Sequence, residues 1–280
     1  PKKYGNEPTP KPIYQCFHTE DDYIAFPVKY GMQNYPDPEM VIDLARGQEL
    51  ICPKRPDPHH EKASPGQPKF FADTLAWFAA GNPVGLAEAG TGTGKTANAL
   101  NLIAERGRSA LIVVDRTFLG FEQWIPEAKE KLGLTDDQIG IIQGDQCDFH
   151  KPFCVAIAAS LYSRQYPEEM YRAFGTIVYD ELQKFGAREM QRVLSMFSAE
   201  VTMGQTATVK RKDGCHKLYL DHFGKAEIRG EGQALRCQLK VVEYRDYSGE
   251  NMNGNHGLRM SKLARDKERN QVLVREIMKM

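Results

Sequence analysis

The chain has no surplus charge of either sign: Lys and Arg total 37, and Asp and Glu total 37. A neutral chain sets up no overall field to draw in a polyanion, so any nucleic-acid contact must come from local basic patches. It also has no apolar run near the roughly 18 residues that a membrane span needs, which predicts no membrane partner. Cysteine is sparse and scattered: Cys16, Cys52, Cys147, Cys154, Cys215 and Cys237, with no CxxC. No secretory signal opens the sequence, so the cysteines are expected to be reduced and the protein cytoplasmic rather than secreted. Cys147, His150 and Cys154 in "CDFHKPFC" have metal-like spacing. They lack a nearby fourth ligand, and Cys154 opens a strand-like apolar run, which weighs against a metal there. No Ser/His/Asp arrangement stands out, and His59-His60 reads as a solvated loop pair.

What is present is unevenly distributed. Prolines crowd the first quarter and thin out after Pro68, which marks a boundary near residue 66. Before it, "DDYIAFPVKYG" alternates as a short strand pair carrying Tyr23, Phe26 and Tyr30 would, with the aromatics packed on a neighbouring domain. After it, apolar strand-like runs alternate with helical periodicity. "VGLAE", "SALIVVD", "IGIIQG", "CVAIAAS", "TIVYDE" and "EVTMGQTAT" read as strands. "PKFFADTLAWFAAG", "GKTANALNLIAERG", "FEQWIPEAKEKLG", "YPEEMYRAFG" and "AREMQRVLSMF" read as helices. Strands this apolar, separated by helices, predict an α/β fold whose parallel sheet is covered on both faces. "LARDKERNQVLVREIMKM" predicts a last helix, apolar at Leu263, Val272, Val274 and Ile277.

Between "VGLAE" and the helix opening at Lys95 lies Ala89-Gly90-Thr91-Gly92-Thr93-Gly94-Lys95-Thr96. It fits the phosphate-binding pattern GxxxxGK[ST], with Ala89 in place of the first glycine. Glycines let backbone N–H groups turn inward on phosphates, and the helix N-terminus adds partial positive charge. Lys95 is expected to reach the β- and γ-phosphates and the Thr96 hydroxyl to ligate Mg²⁺. Bound ATP with Mg²⁺ requires a second carboxylate site. "TIVYDELQ" supplies Asp180 for the metal's outer shell and Glu181 as the base for an attacking water.

"GQTAT", Gly204 to Thr208, follows at the end of the next strand. With the phosphate loop and the acid pair before it, the chain resembles the superfamily-two helicases and translocases, whose first lobe runs GTGxGKT, DExH, then "GLTAT". The similarity is closest to XPB-type and phage branched-DNA (UvsW-type) helicases. It spans residues 66 to 280, with a fainter echo in "DDYIAFPVKYG". It implies an N-terminal accessory region over 1–65, a P-loop RecA-like ATP-binding lobe over 66–245 and a connector over 246–280 leading to a second RecA-like lobe. That lobe, in cis or in trans, would bring an arginine finger, so the chain alone is expected to bind ATP but hydrolyse it slowly.

The resemblance further implies that Gln183, Thr206 and Thr208 couple the nucleotide site to the nucleic-acid site. Arg116, Thr117, Phe118, Gln123 and Trp124 fall in or near a backbone-contacting segment and Ser160 in the next. Trp124, on an amphipathic helix, also suits the core. Lys210, Arg211 and Lys212 read equally as phosphate contacts or a solvated charge run. The expected partner is DNA, single-stranded, duplex or branched, in preference to RNA, in a bacterial or phage-infected cytoplasm. Three positions depart from the family. Gln183 stands where DExH has His, Val209 stands where Pro follows TAT, and Phe70 stands where an adenine-reading glutamine is expected, with Gln67 nearby. Two other readings stay open: a binding module without turnover, and another P-loop ATPase.

Overall fold

The computed structural model describes residues 18–20, 23–35, 43–117, 119–186, 190–231 and 256–278. The chain divides into two compact units, Pro1–Gln233 and Ala234–Met280.

The first unit begins with the antiparallel pair β1 (His18–Glu20) and β2 (Tyr23–Ala25). The strand pair expected here stops short of Tyr30, because Pro27 sits at the N-cap of a helix, α1 (Val28–Asn34). Proline's fixed φ and missing N–H suit a helix start and not a continuing strand. Tyr30 is thus an exposed helical residue, while Phe26 stacks on Tyr35 with ring centroids 4.9 Å apart. Residues 43–55 then form an irregular strap. Ala45 bridges to Ala199, Leu50 N–H donates to Gly107 O at 3.0 Å, Lys54 N–H donates to Leu132 O at 3.0 Å, and Leu50 is buried.

The central sheet is built from β3 (Val84–Ala89), β4 (Ala110–Val114), β5 (Ile139–Gln143), β6 (Gln146–Cys147), β7 (Phe153–Ile157), β8 (Thr176–Tyr179), β9 (Val201–Thr206) and β10 (Ile228–Gly230). Its order is β10-β3-β9-β8-β4-β7-β5-β6, parallel except for β6. Side chains alternate across it. In β4, Ala110, Ile112 and Val114 enter one core, and Leu111 and Val113 enter the other. The first core is closed by α2 (Gln67–Ala79), α3 (Lys95–Arg106) and α4 (Ile125–Leu132), through Phe70, Phe78, Leu100, Ile103 and Leu132. The second is closed by α5 (Ala158–Ser163) and α6 (His216–Phe223), with Leu161, Phe185, Tyr219 and Phe223. This is the doubly covered α/β sheet that the apolar strands predict.

Two expected α-helices take another form, and a third opens in one. Leu119–Trp124 is a π-helical turn leading into α4. Glu168–Arg172 and Met190–Ser195 are 3-10 turns, pinned by burial of Met170 in one and of Val193 and Leu194 in the other. Segments this short gain little from propagation, so packing sets their pitch.

The second unit holds α7 (His256–Arg265) and α8 (Lys267–Ile277), where one final helix is expected. Asp266 accounts for the break: it caps α8 by accepting from Arg269 N–H at 2.9 Å. Val274 and Ile277 are exposed there.

Candidate nucleotide site

The cradle forms because β3 ends at Ala89 and α3 begins at Lys95 with only five residues to turn in. Gly92 and Gly94 take φ of 80° and 87°, a region that side chains rarely enter. Ala89 lies in regular strand, paired with Gly230, so the absent first glycine removes no left-handed residue. The buried Thr93 hydroxyl donates to Gly90 O at 2.8 Å and staples the loop. Lys95 Nζ folds back on the loop carbonyls, 3.0 Å from Ala89 O and 3.2 Å from Gly90 O. No side chain caps the N-terminus of α3, so its first-turn N–H groups are left to serve an anion.

The acid pair ends β8, between β4 and β9. Asp180 N–H still pairs with Val113 O at 3.0 Å, and the chain then turns at Glu181 with φ of 50°. Asp180 is only 5 % exposed. Its Oδ2 accepts from Trp124 Nε1 at 2.9 Å, and its Oδ1 accepts from Gln205 Nε2 at 2.8 Å and Glu181 N–H at 2.9 Å. Burial pushes its pKa up, and the indole and amide donors oppose that. Gln183 bridges Glu181 to β9: its amide NH₂ donates to Glu181 Oε2 and its carbonyl accepts from Thr206 Oγ1. Thr206 Oγ1 in turn accepts from Thr208 N–H at 3.1 Å. The register that opposes Glu88 and Thr206 brings this chain beside the cradle.

The other expected residues are placed unevenly. The Thr96 hydroxyl accepts from Gln123 Nε2 at 2.9 Å. Arg116 is exposed, 3.5 Å from the Asp115 carboxylate. The Thr117 hydroxyl accepts from Gln143 Nε2 at 3.3 Å, and Ser160 Oγ accepts from Gly144 N–H at 3.1 Å, so the β5 end gathers both. Phe118 lies outside the described residues. Of the basic loop, Lys210 and Lys212 are exposed, whereas Arg211 is held by Asp213 and by the backbone carbonyl of Gln183. Cys154 is buried in β7, and burial raises the pKa of both Cys147 and Cys154, which disfavours the thiolates that a metal would need. Among the described residues no three His, Cys, Asp or Glu side chains converge on a metal position.

Four residues near the site carry more than the sequence reading gave them. Phe70 is buried in the core and has no polar atom for a base. Gln67 is the group at the loop: it is 3 % exposed and a Cβ on Gly94 would lie 2.8 Å from its Nε2, which has no partner. Gln205 occupies a position that reads as sheet core, and Gln123 and Trp124 read as lying in or near a backbone-contacting segment, with Trp124 also suited to the core. Their roles rest on partners distant in sequence, which no local pattern records.

The donors fit the expected group. Asp180 and Thr96 offer oxygen alone, which suits Mg²⁺, and the glycine loop faces an uncapped helix end that suits phosphate. Residues 61–211, more than half of the chain, match the family model described as Type III restriction enzyme, res subunit. The chain belongs to this family. The res-subunit match runs from just ahead of Gln67 to Arg211 and so contains the cradle, the acid pair and Thr206.

Relatives of this res-subunit domain include an Acanthamoeba polyphaga mimivirus protein whose name assigns it as an ATP-dependent RNA helicase. It is 28% identical over 224 residues, 80% of this chain and 41% of that one. The DNA 3'-5' translocase XPB2 of Sulfurisphaera tokodaii is 33% identical over 130 residues, 46% of this chain and 28% of that one. Among solved structures, the UvsW helicase of bacteriophage T4 is similar at 18% identity and TM-score 0.45, covering 63% of this chain and 62% of that chain. The chain therefore spans well under half the length of these curated relatives. No helix among the described residues is long and apolar enough to cross a membrane.

Proposed function

We propose that this chain is the ATP-binding first lobe of an ATP-dependent DNA helicase or translocase, working with a second RecA-like lobe in cis or in trans. The observation that carries the reading is the continuous hydrogen-bonded path Glu181–Gln183–Thr206–Thr208, which joins the candidate base to the strand end after β9. A plain nucleotide-binding module has no need of that path. A motor has, because hydrolysis must be felt at the track.

In this reading the N–H groups of Gly90 to Lys95 surround the phosphates, and Lys95 leaves the loop carbonyls for the β- and γ-phosphates. Gln67, whose amide NH₂ has no partner while its Oε1 accepts from Ser64 N–H, is the group that would serve the adenine. Thr96 and Asp180 hold Mg²⁺, which when bound neutralises developing phosphate charge. Gln183 already occupies Glu181 Oε2, so Oε1 is left to accept the proton of the attacking water. An arginine of the second lobe supplies the remaining charge, worth about 10³ to 10⁵ in rate. Arg116, Thr117 and Ser160, near the carboxyl ends of β4, β5 and β7, meet the nucleic-acid backbone. DNA is favoured by the named function of the Sulfurisphaera relative, and RNA by that of the mimiviral one.

The test is ATP turnover by the 280-residue chain with single-stranded DNA, forked DNA or RNA, with Lys95→Ala as control. Slow, Lys95-dependent turnover supports the reading. Vigorous turnover unmoved by any nucleic acid, or transfer of phosphate to an added small acceptor, overturns it.

A further inference from the structure

The two side chains read above as the Mg²⁺ site, Thr96 and Asp180, belong to different elements: the first turn of α3 and the end of β8. Nothing bonds them to each other. Each is instead held by one of two consecutive residues, both in the π-helical turn Leu119–Trp124. Gln123 Nε2 donates to Thr96 Oγ1 at 2.9 Å, and Trp124 Nε1 donates to Asp180 Oδ2 at 2.9 Å. We propose that Gln123 and Trp124 are the positioning pair of the metal site, setting the orientation and separation of the two side chains that would hold the ion. The proposal rests on the reading of Thr96 and Asp180 as those side chains.

The chemistry of each donor suits the task. Indole has a single N–H fixed in the ring plane, and the Trp124 ring is fully buried with Leu100, Val114 and Leu132 in the core. Turning the Asp180 carboxylate would break this hydrogen bond, because the packed ring cannot follow it. The Asp180 carboxylate offers about four lone-pair sites, and three are taken: one by Trp124 on Oδ2, and two by Gln205 and Glu181 N–H on Oδ1. The free one is on Oδ2, beside the indole. The Thr96 hydroxyl accepts from Gln123 and retains a second lone pair for a cation. Partners of this kind fix ligand orientation, and their removal typically weakens metal binding about 10- to 100-fold.

The backbone explains how neighbouring residues serve both ligands. An i→i+5 turn rotates less per residue than an α-helix, so adjacent side chains project more nearly to one side, and such turns recur at functional sites. The turn is also seated tightly on the sheet: a Cβ at Gly120 would lie 2.9 Å from Val155 and 3.3 Å from Val114.

The experiment measures ATP affinity by equilibrium titration in EDTA and in excess Mg²⁺, and the Mg²⁺ concentration for half-saturation, for wild type, Gln123→Ala and Trp124→Phe. Trp124→Phe keeps most of the ring and removes the N–H. Gln123 is only half-buried, so its truncation leaves the fold intact. The expected result is EDTA affinity within about twofold of wild type and a Mg²⁺ requirement raised about tenfold or more in each variant. In a Trp77→Phe background, where Trp124 is the remaining tryptophan, its emission is expected to shift on adding Mg²⁺ with ATP but not ATP in EDTA. Folded variants with an unchanged Mg²⁺ requirement overturn the pair, as does an equal loss of affinity with and without Mg²⁺, the mark of a packing role alone. Thr96→Ala and Asp180→Ala separate the two levels. If they leave Mg²⁺-dependent binding untouched, the metal-site reading fails and the pair with it. If they abolish it while Trp124→Phe and Gln123→Ala do not, only the pair fails.

Discussion

Glu181 is the one non-glycine residue among those described with a positive φ, a conformation that costs an L-residue about 1 to 2 kcal/mol. The turn lets its N–H close on Asp180 Oδ1 while its carboxylate meets Gln183. Gln183 then both donates and accepts, which an amide does without titrating. A histidine there would do the same only while neutral. In Gln183→His the effect of ATP on DNA affinity is therefore expected to match wild type near pH 8. It should collapse as the pH falls through about 6.5, where the imidazolium loses its acceptor for Thr206 Oγ1. Wild type should show no such step, and DNA affinities measured with and without ATP across that range decide it. Gly92 gives a second residue-scale expectation. A Cβ there meets nothing within 4 Å, so Gly92→Ala should cost only the backbone strain, about 1 kcal/mol in a denaturant titration, while blocking phosphate approach.

Among the elements, one close junction in the site is β9 against the 3-10 turn Leu182–Gly186. A Cβ at Gly204 would lie 2.6 Å from Leu182 Cδ2. Gly204→Ala should force that turn away from β9, cost about 1 to 3 kcal/mol, and break the Gln183–Thr206 bond. Hydrogen exchange should then rise at residues 182–186 and not in β4; uniform protection would contradict this. The strands around this junction were legible because β3, β4, β7, β8 and β9 are buried on both faces, so their apolar runs have one reading. The π turn at Leu119–Trp124 and the 3-10 turns were not, since short segments take their pitch from packing. The same limit applied to side chains. Lys95 was proposed from the loop pattern, Asp180 from its place at a strand end beside that loop, and Thr206 from the family resemblance. The contacts of Gln123, Trp124 and Gln205 with Thr96 and Asp180 were not legible, because a buried or half-buried side chain gives no local sign of a partner distant in sequence.

For the whole molecule, a parallel sheet gathers its functional ends on one edge, and here the cradle, the acid pair and the Thr206 segment all follow carboxyl ends of strands. The balance of 37 basic and 37 acidic residues sets up no overall field for a polyanion, so any such recognition must come from local patches. Ligand binding there must stabilise the fold by mass action, about 2.7 kcal/mol at a ligand concentration 100 times Kd. The most direct measurement is a titration of ATP with Mg²⁺ into wild type and Lys95→Ala, following both binding and thermal unfolding. Saturable binding with a rising melting temperature in wild type, lost in Lys95→Ala, is the predicted result. Equal binding by the two proteins, or no binding by either, would contradict the assignment of Gly90 to Thr96 as a nucleotide cradle.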